Sequence, residues 1–386
     1  RMNAKQRFLT ALDRSGLPDR LPVTTHHLMR YFLDTYMGGM DNEAFFDYFG
    51  LDPIRWILPY RADEAAGEYL DPEREDPLQP CAILTDTWQL KREVLQETPE
   101  RTVRYHFVTP RGTLTMITAS NVYTTWVIER LIKEKKDIDL LAEYWPAPKC
   151  DVEAVNREAE RYGDRGLIRG SVASFPIYGQ GGCWQDAACL VGIERLIMET
   201  YDDPLWVRTL LGILQSRKAE FIASLEGARF DLLETGGGDA SSTVISPRIF
   251  DRFVAPYDAP LIALAHEKGQ RIVYHTCGGM MPFLERIADM EPDAMETFTP
   301  PGMGGDVDLA EAKRRIGHRV CFIGGWDQYH YFLNCSEEET RAEVRRCFQA
   351  AGEGGGYILA PSDHFFDADP RLIAAFADEA RRCVYS

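Results

Sequence analysis

The second half of the chain repeats one pattern: a short β-rich run ending in Gly, Pro, Thr or polar residues, then a longer amphipathic stretch. The runs are FDLLETG (230–236), RIVYHTCG (271–278), PDAMETF (292–298), RVCFIGG (319–325) and GGYILAP (355–361). Helical stretches separate them. Pro247–Lys268 has Ser246 as N-cap and Gly269 as stop, and Ser336–Ala351 opens with the capping-box pattern Ser336-x-x-Glu339. Strands spaced by single helices form βα units on a parallel sheet. Three further runs lie upstream, RLPVTTH (20–26), LDPIRWI (51–57) and GLIRGSVAS (166–174). Eight such strands close a (β/α)8 TIM barrel, an α/β fold.

Between the second and third strands, residues of about 60–165 exceed one crossover helix. They contain β-rich runs at Ile83–Gln89 and Thr102–Thr118, the latter broken by Pro110-Arg111-Gly112. That break predicts a hairpin, so this segment reads as an inserted antiparallel excursion followed by a helix near Asp151–Tyr162. With no repeat, low-complexity run or linker, residues 1–386 read as one barrel domain with an insertion.

Composition narrows the function classes. Hydrophobic residues make up 45% and charged residues 27% of the 386 positions, which excludes disorder. The 43 Lys+Arg against 60 Asp+Glu, a net charge of −17, argue against nucleic acid or an anionic membrane surface as partner. The longest uncharged run, Gly170–Gln185, is too short and too rich in Gly and Pro to span a bilayer. The opening RMNAKQRFLTALDRSG reads as an amphipathic helix rather than a signal peptide. Nine cysteines without CxxC spacing read as reduced thiols of a cytoplasmic protein.

Active sites of such barrels lie at the C-terminal strand ends. There His275 and Cys277 stand two residues apart, on one face of an extended chain, and imidazole with thiolate is a typical zinc pair. Glu296 ends the sixth strand, and Asp363 or His364 follows the eighth, completing a candidate metal set of His275, Cys277, Glu296, Asp363 and His364. The competing reading makes these residues structural: a small buried thiol, a carboxylate at the barrel mouth and a turn cap. His26 and His27 end the first strand, and alternation turns only one of them toward the axis. His27 and Glu234 are candidate acid–base groups, and His26 a candidate substrate contact. Gly236 and Gly237 allow close backbone approach by a cofactor, with Trp326 as an aromatic wall. Tyr178 and Trp184 are candidates to line a pocket for a planar substrate. His106, His266 and His318 read as structural. Zinc bound partly by thiolate suits activation of a thiol for attack on a methyl group, or of water for hydrolysis. No GxSxG, HExxH, Walker A or GxGxxG sequence opens another route.

The ordered strand ends resemble the uroporphyrinogen decarboxylase superfamily over most of the chain. The matching stretches are RLPVTTH, LLETGGGDAS, YHTCGG, DAMETFTPPGMGGDVDLAEAKRRIGHRVCFIGGWD and GGYILAPSDHF, with Asp293–Asp327 the most specific. True decarboxylases of this superfamily carry Arg-Gln-Ala-Gly-Arg after the first strand and need no metal. Here that place reads Thr25-His26-His27-Leu28-Met29-Arg30-Tyr31. The His275-x-Cys277 pair instead looks like the corrinoid-linked branch, such as the methylcobamide:coenzyme M methyltransferases. It is also similar to cobalamin-independent methionine synthase, where a Glu joins the set as Glu296 does here. The branch's later Cys is missing, and Asp363 stands closest to its place. The resemblance implies a zinc-dependent methyltransferase. It would move methyl between a methoxylated aromatic, a methylamine or a thiol and a corrinoid carried on a partner protein. A homodimer is compatible with this reading. The alternatives are a porphyrinogen-type decarboxylase, a barrel that only binds a corrinoid or porphyrin, and a zinc hydrolase.

Overall fold

The computed structural model describes residues 1–386. Between an opening strand β1 (Ile54–Trp56) and the rest of the parallel sheet come four antiparallel strands: β2 (Gln89–Gln96), β3 (Arg101–Thr109), β4 (Gly112–Ser120) and β5 (Thr125–Glu129). The parallel strands resume with β6 (Leu167–Ser171), β7 (Leu232–Gly236), β8 (Ile272–His275), β9 (Ala294–Thr297), β10 (Cys321–Trp326) and β11 (Tyr357–Pro361). Seven strands thus form one curled parallel sheet in the order β1-β6-β7-β8-β9-β10-β11, an α/β fold of TIM-barrel type. β10 and β11 are buried along their whole length, as strands covered on both faces must be.

The segment expected as the first strand is reduced to a single bridge. Val23 pairs with Leu359 of β11, and its carbonyl accepts the Asp52 N–H at 2.8 Å, so it lies between the sheet's two edges. Two local facts prevent a longer ladder. Pro22 has no N–H, and the Val23 N–H is taken by the Asp52 carboxylate at 3.0 Å. Asp52 also pairs with Arg7 of the N-terminal helix α1 (Ala4–Leu12) and with Arg20.

The antiparallel sheet turns at Pro110-Arg111, with Thr109 paired to Gly112. It packs on the barrel through Phe107, whose ring lies 5.1 Å from that of Phe175. The stretch Pro247–Lys268, expected as one helix, is interrupted. A π turn at Phe250–Val254 precedes helix Ala255–Glu267. Pro256 cannot donate to the preceding turn, which displaces the hydrogen-bond register there. No helix is long and apolar enough to cross a membrane.

Candidate metal centre in the barrel mouth

Parallel register sets the site. Gly236 is paired with His275 and His275 with Glu296, so the ends of β7, β8 and β9 lie level. Glu234, one pleat earlier on β7, points to the same group. His275 Nδ1 lies 2.9 Å from Glu296 Oε1 and 3.1 Å from Glu234 Oε1. Closure of the sheet by the Val23 segment brings His26 to them from the far edge. Ligand atoms of His26, His275 and Glu296 all lie within 4.8 Å of one another.

Beneath this group Arg169, on β6, is fully buried. One guanidinium nitrogen contacts Oε1 of Glu296 and, at 3.2 Å, Oε1 of Glu234. The guanidinium lies 4.6 Å from the ring centre of Trp56. The Trp56 indole N–H donates to the His26 carbonyl, and the His27 ring stacks on the indole at 5.4 Å. Four polar atoms here are buried without a partner: both ring nitrogens of His26, Oε2 of Glu296 and Nε of Arg169. Such atoms are destabilising unless something binds them.

The electrostatics fit the geometry. Burial, with Arg169 and His275 nearby, pushes the His26 imidazole down to about 3, so it is neutral and one ring nitrogen carries a free lone pair. Burial opposes ionisation of Glu296, but Arg169 and His275 hold it well below the usual carboxylate range. His275 is driven the other way: burial disfavours its charge, yet Glu234, Cys277 and Glu296 raise it well above the ordinary imidazole value. A cation bound there would have to displace that proton. Burial raises Glu234, and its neighbour Glu296 adds to the rise. His27 is lowered well below its ordinary value by burial, then by His26 and His275.

The remaining candidates fall into three places. Cys277 is partly exposed beside His275, in space left by Gly238, where an added Cβ would come within 2.7 Å of Sγ. Asp363 and His364 pair with each other at 3.0 Å, half-exposed on the loop after β11, outside the buried donor group. Gly236 and Gly237 carry φ of +89° and +158°, and the room their missing side chains leave is filled by the His275 carbonyl and by Gln185. The triple glycine is therefore packed rather than open. Trp184 is sealed in the core, its N–H donating to the Asp239 carbonyl at 3.1 Å. Trp326 is enclosed by Tyr331, Phe332 and Phe376. Both indoles are fully buried. Tyr178 is half-buried on the loop between β6 and helix α2 (Cys183–Val191).

That loop is held by groups that sequence reading passed over. Lys218, on helix α3 (Pro204–Ala223), donates to the carbonyls of Ala173 and Gln180 at 2.8 and 3.0 Å and to Asp186 at 2.8 Å. Asp186 in turn accepts the Phe175 and Gln180 N–H groups at 3.0 and 3.3 Å. Arg169 was missed as well, and its signal was present: one cation inside the otherwise uncharged run GLIRGSVAS of a strand that must be buried.

Comparison with known proteins agrees with this architecture. The chain is 28% identical over 211 residues to the uroporphyrinogen decarboxylase of Thioalkalivibrio sulfidiphilus, covering 53% of this chain and 54% of that one. It is 28% identical over 247 residues to that of Psychromonas ingrahamii, covering 60% and 64%. These alignments thus span between about half and two thirds of the relatives' lengths. A methyltransferase from Methanosarcina mazei shares the fold, with a TM-score of 0.61, 16% identity and 99% of each chain covered. The family model described as uroporphyrinogen decarboxylase (URO-D) matches residues 166–383, and the chain belongs to that family.

Proposed function

We propose that this chain is a zinc-dependent methyltransferase of the corrinoid-linked kind, exchanging methyl between a small substrate and a corrinoid on a partner protein. One observation carries the reading: the buried, unpartnered ring nitrogens of His26 and Oε2 of Glu296, gathered with His275 within 4.8 Å. A neutral imidazole, an ionised carboxylate and a second imidazole form a donor set suited to a divalent cation. Cys277, beside His275, supplies the soft fourth donor in this reading. Asp363 and His364 stand at the rim as alternates. Zinc held there would polarise the heteroatom that loses or gains methyl.

The chain's own groups would do the rest. Glu234, whose carboxyl is raised by burial, can hold a proton near a departing oxygen or nitrogen. His27, kept neutral on the Trp56 face, can accept one. Tyr178 and its clamped loop would bound the substrate side, which suits a methoxylated aromatic. The mouth above His275 would receive the corrinoid.

Decarboxylation, the activity named in the sequence relatives, is the second reading. It calls for free cations to hold substrate carboxylates. Arg169 is the cation seated among the inner donors, and the ionised Glu296 already neutralises it. Metal analysis of purified protein, coupled to a methylcobalamin assay with methoxyaromatics, methylamines and thiols, separates the readings. Stoichiometric zinc and substrate-dependent change in the cobalamin spectrum support methyl transfer. Metal-free protein that releases carbon dioxide from a porphyrinogen overturns it.

A further inference from the structure

Arg169 and Glu296 form an ion pair inside the barrel, with both side chains at most 1% exposed. The contact is one-sided. The guanidinium takes Oε1 of Glu296, the same oxygen that faces His275 Nδ1, while Oε2 has no partner. The same nitrogen reaches Oε1 of Glu234. The guanidinium is itself immobilised, since its carbon lies 4.6 Å from the centre of the Trp56 ring. That indole also donates to the His26 carbonyl. A single strut therefore links the backbone of His26 to the carboxylate of Glu296. The planar, permanently charged fork of arginine suits such a task better than a lysine ammonium.

We propose that Arg169 is a positioning residue that occupies Oε1 of Glu296 and presents only Oε2 to a bound cation, so that Glu296 binds through one oxygen. The inference rests on the metal reading above. Without the guanidinium, Oε1 keeps only its contact with His275 Nδ1, which a cation bound by that nitrogen would replace, so Glu296 can chelate through both oxygens and the coordination number rises. Groups that orient ligands in this way change metal affinity by about 10- to 100-fold when altered.

The test uses the full chain and cobalt(II) alone, because its visible bands report coordination number without any methyl transfer. Wild-type protein is expected to give the intense bands of a four-coordinate site. Arg169→Met should give the weaker bands of higher coordination. Arg169→Lys, which keeps the charge but cannot hold both carboxylates, should bind cobalt about tenfold or more weakly with an altered spectrum. If the methionine variant does not fold, the lysine variant decides. Wild-type protein that takes up no cobalt overturns the metal reading and this proposal with it. Wild-type binding with variant spectra and affinities that superimpose on it overturns the proposal alone.

Discussion

The imidazoles of His26, beyond the Val23 segment that closes the sheet, and His275, at the end of the central strand β8, lie 6.2 Å apart at an interplanar angle of 69°. His275 is bonded on one side to Glu296, whereas neither nitrogen of His26 is bonded at all. A structural histidine would be satisfied. His26→Leu is therefore expected to leave the metal-free protein as stable as wild type or more stable by about 1 kcal/mol, since it removes unpaired buried groups. The same variant should lose stoichiometric zinc. Urea unfolding with metal analysis checks both halves. Retained zinc, or a loss of several kcal/mol without metal, would show that His26 serves packing.

The loop that carries Tyr178 depends on a buried ion pair. Lys218 and Asp186 are each at most 1% exposed, and between them they bond both ends of the segment Ala173–Gln180. Lys218→Met leaves a buried carboxylate without its cation. The expected loss is about 3–5 kcal/mol, the range for breaking one partner of a buried pair. Amide exchange should rise first within residues 173–182. Protection there equal to wild type would mean that the loop is held by its backbone alone.

How much of this was legible in the sequence follows from which residues depend on distant ones. β7 to β11 were readable because each is a short apolar run covered on both faces, and His275 and Glu296 because adjacent strands end level. The first strand was over-read, since Val23 gives its N–H to Asp52, a residue placed only by folding. His26 joins the donors only because the barrel closes, so sequence alone suggested no more than a substrate contact. Asp363 and His364 looked like ligands by position, but each finds a closer partner in the other. Trp184 and Trp326 were readable as aromatic, not as sealed, because the neighbours that enclose them are distant in the chain.

Two glycines separate packing from chemistry. At Gly324, with φ of +123°, an added Cβ would meet the Thr297 carbonyl oxygen at 2.0 Å, backbone against backbone. Gly324→Ala should destabilise by about 2 kcal/mol or more, from strain at a conformation that L-residues avoid plus displacement of β9. At Gly238 the neighbour is the Cys277 thiol at 2.7 Å, the end of a rotatable side chain. Gly238→Ala should leave the unfolding free energy from urea titration within about 0.5 kcal/mol of wild type. It should nonetheless change the alkylation rate of Cys277, read by mass spectrometry. Equal destabilisation by both substitutions would place Gly238 among the packing glycines.

A pH effect is expected at the opposite end of the barrel. His266, on the helix Ala255–Glu267, lies 2.7 Å from Asp293, whose carboxylate also accepts the Ile272 N–H at 2.8 Å. The hydrogen bond to Asp293 raises the His266 pKa, burial opposes the rise, and the charges of Asp293 and Glu291 add to it. Because the folded value exceeds the unfolded value of about 6.5, the protonated form is favoured on folding. Its contribution is complete below pH of about 6.5 and disappears as pH rises through the folded value. The His266 side chain is 37% exposed, so solvent screening keeps the effect under about 1 kcal/mol. The stability difference between wild type and His266→Gln, measured by urea unfolding, should therefore shrink from pH of about 5.5 to about 8.5 and shrink less in high salt. A difference that grows with pH would reverse the sign of the linkage and remove His266 from the groups that stabilise the acidic side.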